Sequence, residues 1–380
     1  MTLLESIGEA TARSLRSAST GQRNLLEEDS FLGVLVVERK RTERSGKPFL
    51  LALLETGNRQ GPEKTERALQ NIAAALLQST RDTDVVGWFK NSTTVGAIFS
   101  GLAAEDKTST LSAILNRVSA TLREHLTSEQ FNQVSLSFHF YPDEWDHDFA
   151  GRPSDGALYP DLSTRDNERQ TLLRVKRAID IAGSSLALIL CTPLFLTIAA
   201  AIKLSSKGPV VFKQRRVGRY GQCFTFLKFR SMHTNNDPSP HREYVKKLIA
   251  GEAERKPTDD CSDGVFKLTN DKRVTRLGSW LRKSSLDELP QFFNVLKGDM
   301  SLVGPRPAIP YEVASYQTWH RRRVLDVKPG ITGLWQVNGR NRIEFDEMVR
   351  LDLEYAKSWS PWMDIKILIQ TPRAVLRGAY

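Results

Sequence analysis

Short apolar segments alternate with amphipathic stretches in the first part of the 380-residue chain. Over residues 31–140 the apolar spacing predicts helices at Glu63–Gln78 and Leu111–Leu126, between apolar segments that end with VSLSFHFY. This pattern predicts an α+β sandwich with helices on one face of a sheet. Residues 1–30 then form a leader before the first domain.

Residues 141–170 are polar and rich in Asp and Pro, without an apolar period, which predicts a linker. The second domain, residues 171–380, is predicted to be mostly helical. It opens with 22 uncharged residues, Ile181–Ile202. As one helix this run would be about 33 Å long, enough to span a bilayer.

Two features of this run argue against a simple span. Thr192 and Pro193 lie near its middle, where proline removes a backbone hydrogen bond and the threonine hydroxyl could satisfy the freed carbonyl. Basic residues flank both ends, which places both ends in the cytoplasm by the positive-inside rule. We therefore expect a re-entrant helical hairpin over residues 179–202, with a buried core helix or a true span as alternatives.

Charge is distributed unevenly between the two parts of the chain. Residues 1–150 carry a net charge of −4, and residues 151–380 carry +14. A basic domain binds nucleic acid, anionic lipid or phosphorylated small molecules. Without an RNA-binding signature or zinc-ligand spacing, we expect no nucleic-acid partner. Three widely spaced cysteines and a charged N-terminal stretch favour a reducing, cytoplasmic location.

The stretch SLDELPQFFNVLKGDMSLVGPRP places two adjacent carboxylates, Asp287 and Glu288, at the start of an apolar segment. Ser285 and Glu288 have the spacing of a helix capping box, which is the structural alternative for these acids. Arg282 precedes them, and Arg306 follows between two prolines. Mixed charge at a helix start suits phosphate chemistry, with one carboxylate attacking phosphorus and its neighbour holding a divalent cation.

Magnesium is the expected ion, because its ligands are carboxylate and phosphate oxygens and no cluster of His or Cys offers a softer site. Further cations that could contact phosphate are Lys228, Arg230 and Arg340. The C-terminal segment combines Trp359 and Trp362 with basic and aliphatic residues, a composition typical of a helix lying among lipid headgroups.

The ordered motifs KRAIDI, FKQRRVG, KFRSM, SLDELPQFFNVLKGDMSLVGPRP and KPGITGLWQVNGR closely resemble bacterial monotopic polyprenol-phosphate phosphoglycosyl transferases, over about residues 171–380. The resemblance implies transfer of a sugar 1-phosphate from a UDP-sugar to undecaprenyl phosphate, with release of UMP and magnesium as cofactor. Such a reaction initiates exopolysaccharide, capsule or O-antigen synthesis. It also implies attachment to membrane lipids at the cytoplasmic face of the inner membrane.

The resemblance assigns Asp287 as the nucleophile that forms a phosphosugar intermediate and Glu288 as a metal ligand. Arg282, Arg306 and Arg340 lie in matching stretches and are expected to contact phosphate or nucleotide, as are Lys228 and Arg230. Two other functions stay open at this point: a membrane-bound glycosyl transferase that releases UDP, and a non-catalytic membrane scaffold.

The first domain resembles diguanylate cyclase (GGDEF-type) domains in its layout. Where that family carries its signature, this chain has KNSTT, and Glu55 with Gly57 stand where the metal-binding aspartates occur. We therefore expect a degenerate domain without cyclase activity that regulates the enzyme or forms a homodimer.

Overall fold

The computed structural model describes residues 24–57, 62–102, 107–142, 156–162, 166, 169–233, 237, 239–258, 261–266, 273–339 and 342–378. These residues form two compact units. The first contains the described residues up to 142 together with 156–162, and the second contains the described residues from 166 onward.

An antiparallel sheet forms the centre of the first unit. Its elements in chain order are α1 (Glu28–Ser45), β1 (Phe49–Thr56), α2 (Pro62–Ser79), β2 (Val85–Lys90), β3 (Thr94–Phe99), α3 (Lys107–His125), α4 (Ser128–Phe131) and β4 (Val134–Tyr141). The strand order is β2–β3–β1–β4, and Leu50 of β1 pairs with Phe99 on one side and Phe140 on the other.

Helices cover both faces of this sheet, not one face as the sequence predicts. Leu50, Ala52 and Leu54 of β1 pack against α2 and α3 in one core cluster. Phe31 of α1 lies over Gly87 and Gly96 of the neighbouring strands, where a Cβ atom would come within 3 Å of its side chain. Two-sided coverage explains why β1 is buried from Phe49 to Leu54 without alternation.

Part of the predicted linker packs against the first unit. The guanidinium of Arg39, fully buried in α1, donates to the Leu158 carbonyl and to both carboxylate oxygens of Asp161, each at 2.9 Å. It also lies 4.7 Å from the ring centroid of Tyr159. Leu158 and Leu162 are also buried, and residues 156–162 belong to the first unit.

The second unit is mostly helical, with short two-stranded sheets. Its helices are α5 (Gln170–Ser205), α6 (Ser239–Ile249), α7 (Arg276–Lys283), α8 (Gln291–Lys297), α9 (Pro310–Ala314), α10 (Arg322–Leu325), α11 (Leu334–Asn338), α12 (Phe345–Ser358) and α13 (Pro361–Gly378). Its strands are β5 (Val211–Val217), β6 (Cys223–Phe229), β7 (Lys256–Thr258), β8 (Cys261–Val265), β9 (Ser301–Val303) and β10 (Gly330–Thr332).

Helix α5 is one uninterrupted helix of 36 residues, so the predicted hairpin over residues 179–202 is not confirmed. Proline inside a helix removes one backbone hydrogen bond, and the chain continues through Pro193 without reversing direction. The Thr192 hydroxyl donates to the Leu188 carbonyl at 2.7 Å, not to the carbonyl of Ile189 that proline leaves free.

Both ends of α5 pack against the same unit. Near its start, buried Asp180 accepts hydrogen bonds from the Ser301 hydroxyl and the Leu302 backbone N–H, each at 2.9 Å. Near its end, Ile198 and Ile202 pack in a core cluster with Phe229 and Leu281. The helix therefore lies along the unit.

The opposite face of α5 is apolar and exposed. Leu186, Ile189, Leu190 and Leu196 are 58–70% exposed. By length and composition α5 could cross a bilayer, since its most apolar stretch has a mean hydropathy of 2.3, and 11% of that stretch is buried. Helix α13 also exposes Trp362 and Ile369, which are 72% and 71% accessible.

Candidate active site

The two predicted acids lie in a single tight turn. Residues Leu286–Glu288 form one turn of 3₁₀ helix between α7 and α8. Ser285, just before the turn, has a φ of 57°, a left-handed conformation that non-glycine residues rarely adopt and that concentrates at functional sites. Leu286 and Leu289 pack against the cluster of Ile198 and Ile202, which fixes the turn beside α5.

The capping-box alternative for Asp287 and Glu288 is wrong. A capping serine has an extended backbone and accepts a hydrogen bond through its side chain. Ser285 is left-handed and makes no such bond. Asp287 and Glu288 are therefore not held in this turn by a capping box at Ser285.

Lys228 of β6 holds both carboxylates. Its Nζ atom lies 3.0 Å from Glu288 Oε1 and 3.6 Å from Asp287 Oδ2. Asp287 is 5% exposed, and Glu288 is half-buried. The structure thus places Lys228 against the two carboxylates, and its predicted contact with phosphate stays a prediction.

The two carboxyl groups differ in their acidity. Burial raises the pKa of Asp287, the negative charge of Glu288 adds to this effect, and Lys228, Arg282 and Arg306 oppose it. Burial alone would raise the pKa of Glu288 as well. The positive charges of Lys228 and Arg306 and a hydrogen bond with Gln291 outweigh burial, so that this pKa is lowered to about 2. Glu288 is thus the more acidic carboxyl group of the pair, and Asp287 is the more basic one.

The structure brings two of the predicted arginines to this cluster. Arg282 is exposed in the last turn of α7, and its charge lowers the pKa of Asp287. Arg306 is exposed between its two prolines, and its charge lowers the pKa of both acids. Cationic side chains open to solvent beside a carboxylate pair can receive a diphosphate.

Two other predicted residues are placed differently. Arg230 is buried and donates to the carbonyl and hydroxyl of Ser206, at 2.8 Å and 2.7 Å, at the end of α5. That position gives it a structural role and does not favour the predicted phosphate contact. Arg340 lies outside the described residues.

The sequence does not assign two further residues to this cluster, although one of them, Arg216, lies in the motif FKQRRVG. Gln291 is buried in the first turn of α8, three positions after Glu288, and it helps to keep that carboxylate ionised. Arg216 is buried in β5 and donates to the Pro307 carbonyl at 2.7 Å. The three-residue spacing could have indicated Gln291, but the Arg216 contact joins residues 91 positions apart and leaves no local signal.

The donor set at the turn fits a magnesium ion that is shared with a substrate. Within the residues that the structure describes, no group of three or more His, Cys, Asp or Glu side chains could hold a metal. Mg²⁺ commonly uses only one or two carboxylates together with substrate phosphates. An ionised Glu288 meets that requirement.

Comparisons with known proteins match the second unit. The family described as "Bacterial sugar transferase" matches residues 171–378. A relative from Streptococcus agalactiae, named galactosyl transferase CpsE, is 45% identical over 54% of this chain and 43% of its own length. A relative from Salmonella typhimurium, named undecaprenyl-phosphate galactose phosphotransferase, is 44% identical over 54% of this chain and 42% of its own length.

A shorter relative, the exopolysaccharide production protein ExoY of Rhizobium meliloti, is 41% identical over 54% of this chain and 88% of its own length. The chain thus spans less than half the length of the first two relatives. Among solved structures, a DGC protein from Thermotoga maritima covers 32% of this chain and 84% of its own, with a TM-score of 0.27 and 19% identity. A score this low does not establish a shared fold, so the GGDEF-like character of the first unit stays a prediction.

Proposed function

Because the chain belongs to the bacterial sugar transferase family, we propose that it transfers a sugar 1-phosphate from a UDP-sugar to undecaprenyl phosphate and releases UMP. The observation that carries this proposal is the pair of adjacent acids in one turn, unequal in acidity and surrounded by cations. The names of relatives, which include undecaprenyl-phosphate galactose and glucose phosphotransferases, support the class of reaction. Such a step begins the assembly of an exopolysaccharide, a capsule or an O-antigen.

The proposed reaction has two halves. In the first, an oxygen of the Asp287 carboxylate attacks the phosphorus that carries the sugar, and the bond between that phosphorus and the UMP oxygen breaks. In the second, an oxygen of undecaprenyl phosphate attacks the same phosphorus, and the bond to Asp287 breaks. The carboxylate is restored, and each substrate needs the site only in turn.

The surrounding residues would support both halves of the reaction. Lys228 orients the two carboxylates, and Arg306 and Arg282 would bind the phosphate oxygens as negative charge shifts to the leaving group. Glu288 would hold Mg²⁺ together with the substrate. When bound, the ion would neutralise diphosphate charge.

We also propose that α5 attaches the enzyme to the cytoplasmic face of the inner membrane without crossing it. Contacts near both ends of the helix, at Asp180 and at Ile198 and Ile202, join it to the unit that carries the acids, which supports an arrangement with both ends on one side of the bilayer. The exposed apolar face of α5 can then enter the lipid, with Trp362 of α13 as a second contact.

Nucleotide release tests the proposed reaction. Purified protein with magnesium, undecaprenyl phosphate and a panel of UDP-sugars should produce UMP in proportion to the lipid product. UDP in place of UMP would instead support a glycosyl transferase, and the absence of any turnover across the panel would support a scaffold.

Asp287→Asn should abolish turnover, because an amide cannot form the acyl-phosphate bond, while the thermal unfolding temperature should change little. Mass spectrometry of wild-type protein treated with donor alone should find the mass of one sugar phosphate added, on a peptide containing residue 287. Glu288→Gln is the matched neighbour, and it should weaken turnover while still allowing the adduct. Near-normal turnover of Asp287→Asn would refute the assignment.

A further inference from the structure

Hydrogen bonds to four consecutive carbonyl groups, those of residues 305–308, fix the backbone around Arg306. The donors come from three separate parts of the second unit: Gly330 N to Pro305 O at 2.8 Å, Arg323 Nη2 to Arg306 O at 3.5 Å, Arg216 Nη1 to Pro307 O at 2.7 Å, and Val217 N to Ala308 O at 2.9 Å. Since the prolines on either side of Arg306 also restrict φ, little freedom is left in this segment.

The side chain of Arg306 is, by contrast, exposed. Its charge still reaches both Asp287 and Glu288. A fixed backbone sets the point from which this exposed side chain extends, so only side-chain freedom is lost when the guanidinium binds an anion.

Arg216 makes the best-placed side-chain contact to this segment. Arg323 reaches it only at 3.5 Å, and its Nη2 atom is also engaged by Asp352 at 2.8 Å. Arg216 is 6% exposed, and its Nε atom donates to Gln214 at 3.0 Å. Burying a guanidinium is costly unless it is well paired, and the acceptors at Pro307 and Gln214 provide that pairing here.

The ring of Phe226 connects Arg216 to the acids. Its centroid lies 5.0 Å from the Arg216 guanidinium carbon and 5.6 Å from Lys228 Nζ. Lys228 in turn holds Asp287 and Glu288. The β5–β6 pair therefore presents one cation to the Arg306 backbone and another to the acids, with an aromatic ring in contact with both.

We propose that Arg216 is a positioning residue for the transfer reaction, acting through the Pro305–Ala308 backbone to set the place of Arg306. This inference rests on the proposed function, because the reaction concerned is the proposed sugar-phosphate transfer. The positioning role itself is argued from the contacts of Arg216, which is not assigned to any reacting atom.

A double-mutant cycle distinguishes positioning from general structural support. Arg306→Ala should lower kcat/KM for the donor by about 100-fold, the usual effect of losing one electrostatic contact to the transition state. Arg216→Met should lower it by at least about 10-fold when Arg306 is present, but by less than about 2-fold in the Arg306→Ala background. Arg216→Lys, which keeps a donor, should recover part of the loss.

Arg215→Met is the matched control, because it removes an exposed arginine from the adjacent position of the same strand and should leave kcat/KM unchanged. If the losses from Arg216→Met and Arg306→Ala multiply fully, or if Arg216→Met is as active as the wild type, the positioning role is wrong.

Hydrogen exchange provides a readout that does not depend on turnover. The Gly330 amide donates to Pro305, so its exchange should rise about 10-fold or more in Arg216→Met and stay unchanged in Arg215→Met. Unchanged exchange in Arg216→Met would overturn the proposal. If the wild type releases no UMP, the proposed function fails, and the exchange result still decides whether Arg216 fixes this backbone.

Discussion

The two adjacent acids have the same chemistry but different surroundings. Asp287 is the more buried and lies farther from Lys228, whereas Glu288 contacts Lys228 directly. As a result, the pKa of Asp287 is raised and that of Glu288 is lowered to about 2. A more basic carboxylate is the better nucleophile, which agrees with the proposed roles.

The raised pKa of Asp287 predicts how activity depends on pH. A nucleophilic carboxylate must be ionised, so adduct formation should be lost as the pH falls through the pKa of Asp287. The acid limb of the pH–rate profile, where the rate falls, should therefore lie above the ordinary aspartate pKa of about 3.9. Lys228→Met removes a charge that lowers this pKa, so the limb should move to higher pH.

The measurement is the rate of adduct formation from donor alone between pH 4 and 8. Lys213→Met, an exposed lysine of β5, serves as the control and should leave the limb in place. A limb that does not move in Lys228→Met would show that Asp287 does not depend on this cation.

At the scale of single residues, the sequence predicts those site residues that lie close together along the chain. Asp287, Glu288 and Arg306 lie in one motif, residues 285–307, and Arg282 lies three positions before it. The structure brings these charges together. Lys228 and Arg230 have the same charge and are two residues apart, yet one holds the acids and the other caps α5. Such a difference depends on tertiary contacts, which spacing along the chain does not encode.

Helix α5 shows that tertiary contacts also limit the prediction of whole elements from the sequence. The sequence indicates its apolar length, but Pro193, which predicts a break, lies inside a continuous helix. Proline costs a helix one hydrogen bond, and contacts along α5, from Asp180 to Ile202, outweigh that cost. In contrast, VSLSFHFY forms β4 over the predicted residues, because it pairs along its whole length with β1.

The position of α5 predicts the result of labelling its ends. In a chain with the native cysteines replaced, Thr171→Cys and Lys207→Cys lie just inside the start of α5 and just after its end, where both residues are exposed. Both should react with a membrane-impermeant reagent from the cytoplasmic side only. Lys297→Cys in α8 marks the side of the catalytic unit. Labelling of the two ends from opposite sides would mean that α5 spans the bilayer.

At the scale of the molecule, each unit has its own core, and the family match lies entirely within the second. We therefore expect the proposed chemistry to depend on the second unit alone. Its predicted regulatory or dimerising role concerns how the enzyme is controlled.

The Arg39 contacts allow the first unit to be perturbed alone. Arg39→Leu leaves Asp161 without its buried partner and should destabilise the first unit by about 3 kcal/mol. UMP release under saturating donor should stay within about 2-fold of the wild type. The measurements are thermal unfolding and UMP release of the same Arg39→Leu protein. Arg41→Leu, at an exposed position of α1, is the control. A parallel loss of activity would show that the second unit depends on the first.

Because α5 lies along its own domain, its exposed apolar face would insert into one leaflet of the bilayer only. Each bound molecule would then widen the near leaflet without widening the far one, and that asymmetry is relieved where the bilayer bends toward the protein. Small vesicles, whose outer leaflet is loosely packed, should therefore capture more of the enzyme than large vesicles of the same composition. The rate at which the lipid carrier is loaded would then depend on local curvature.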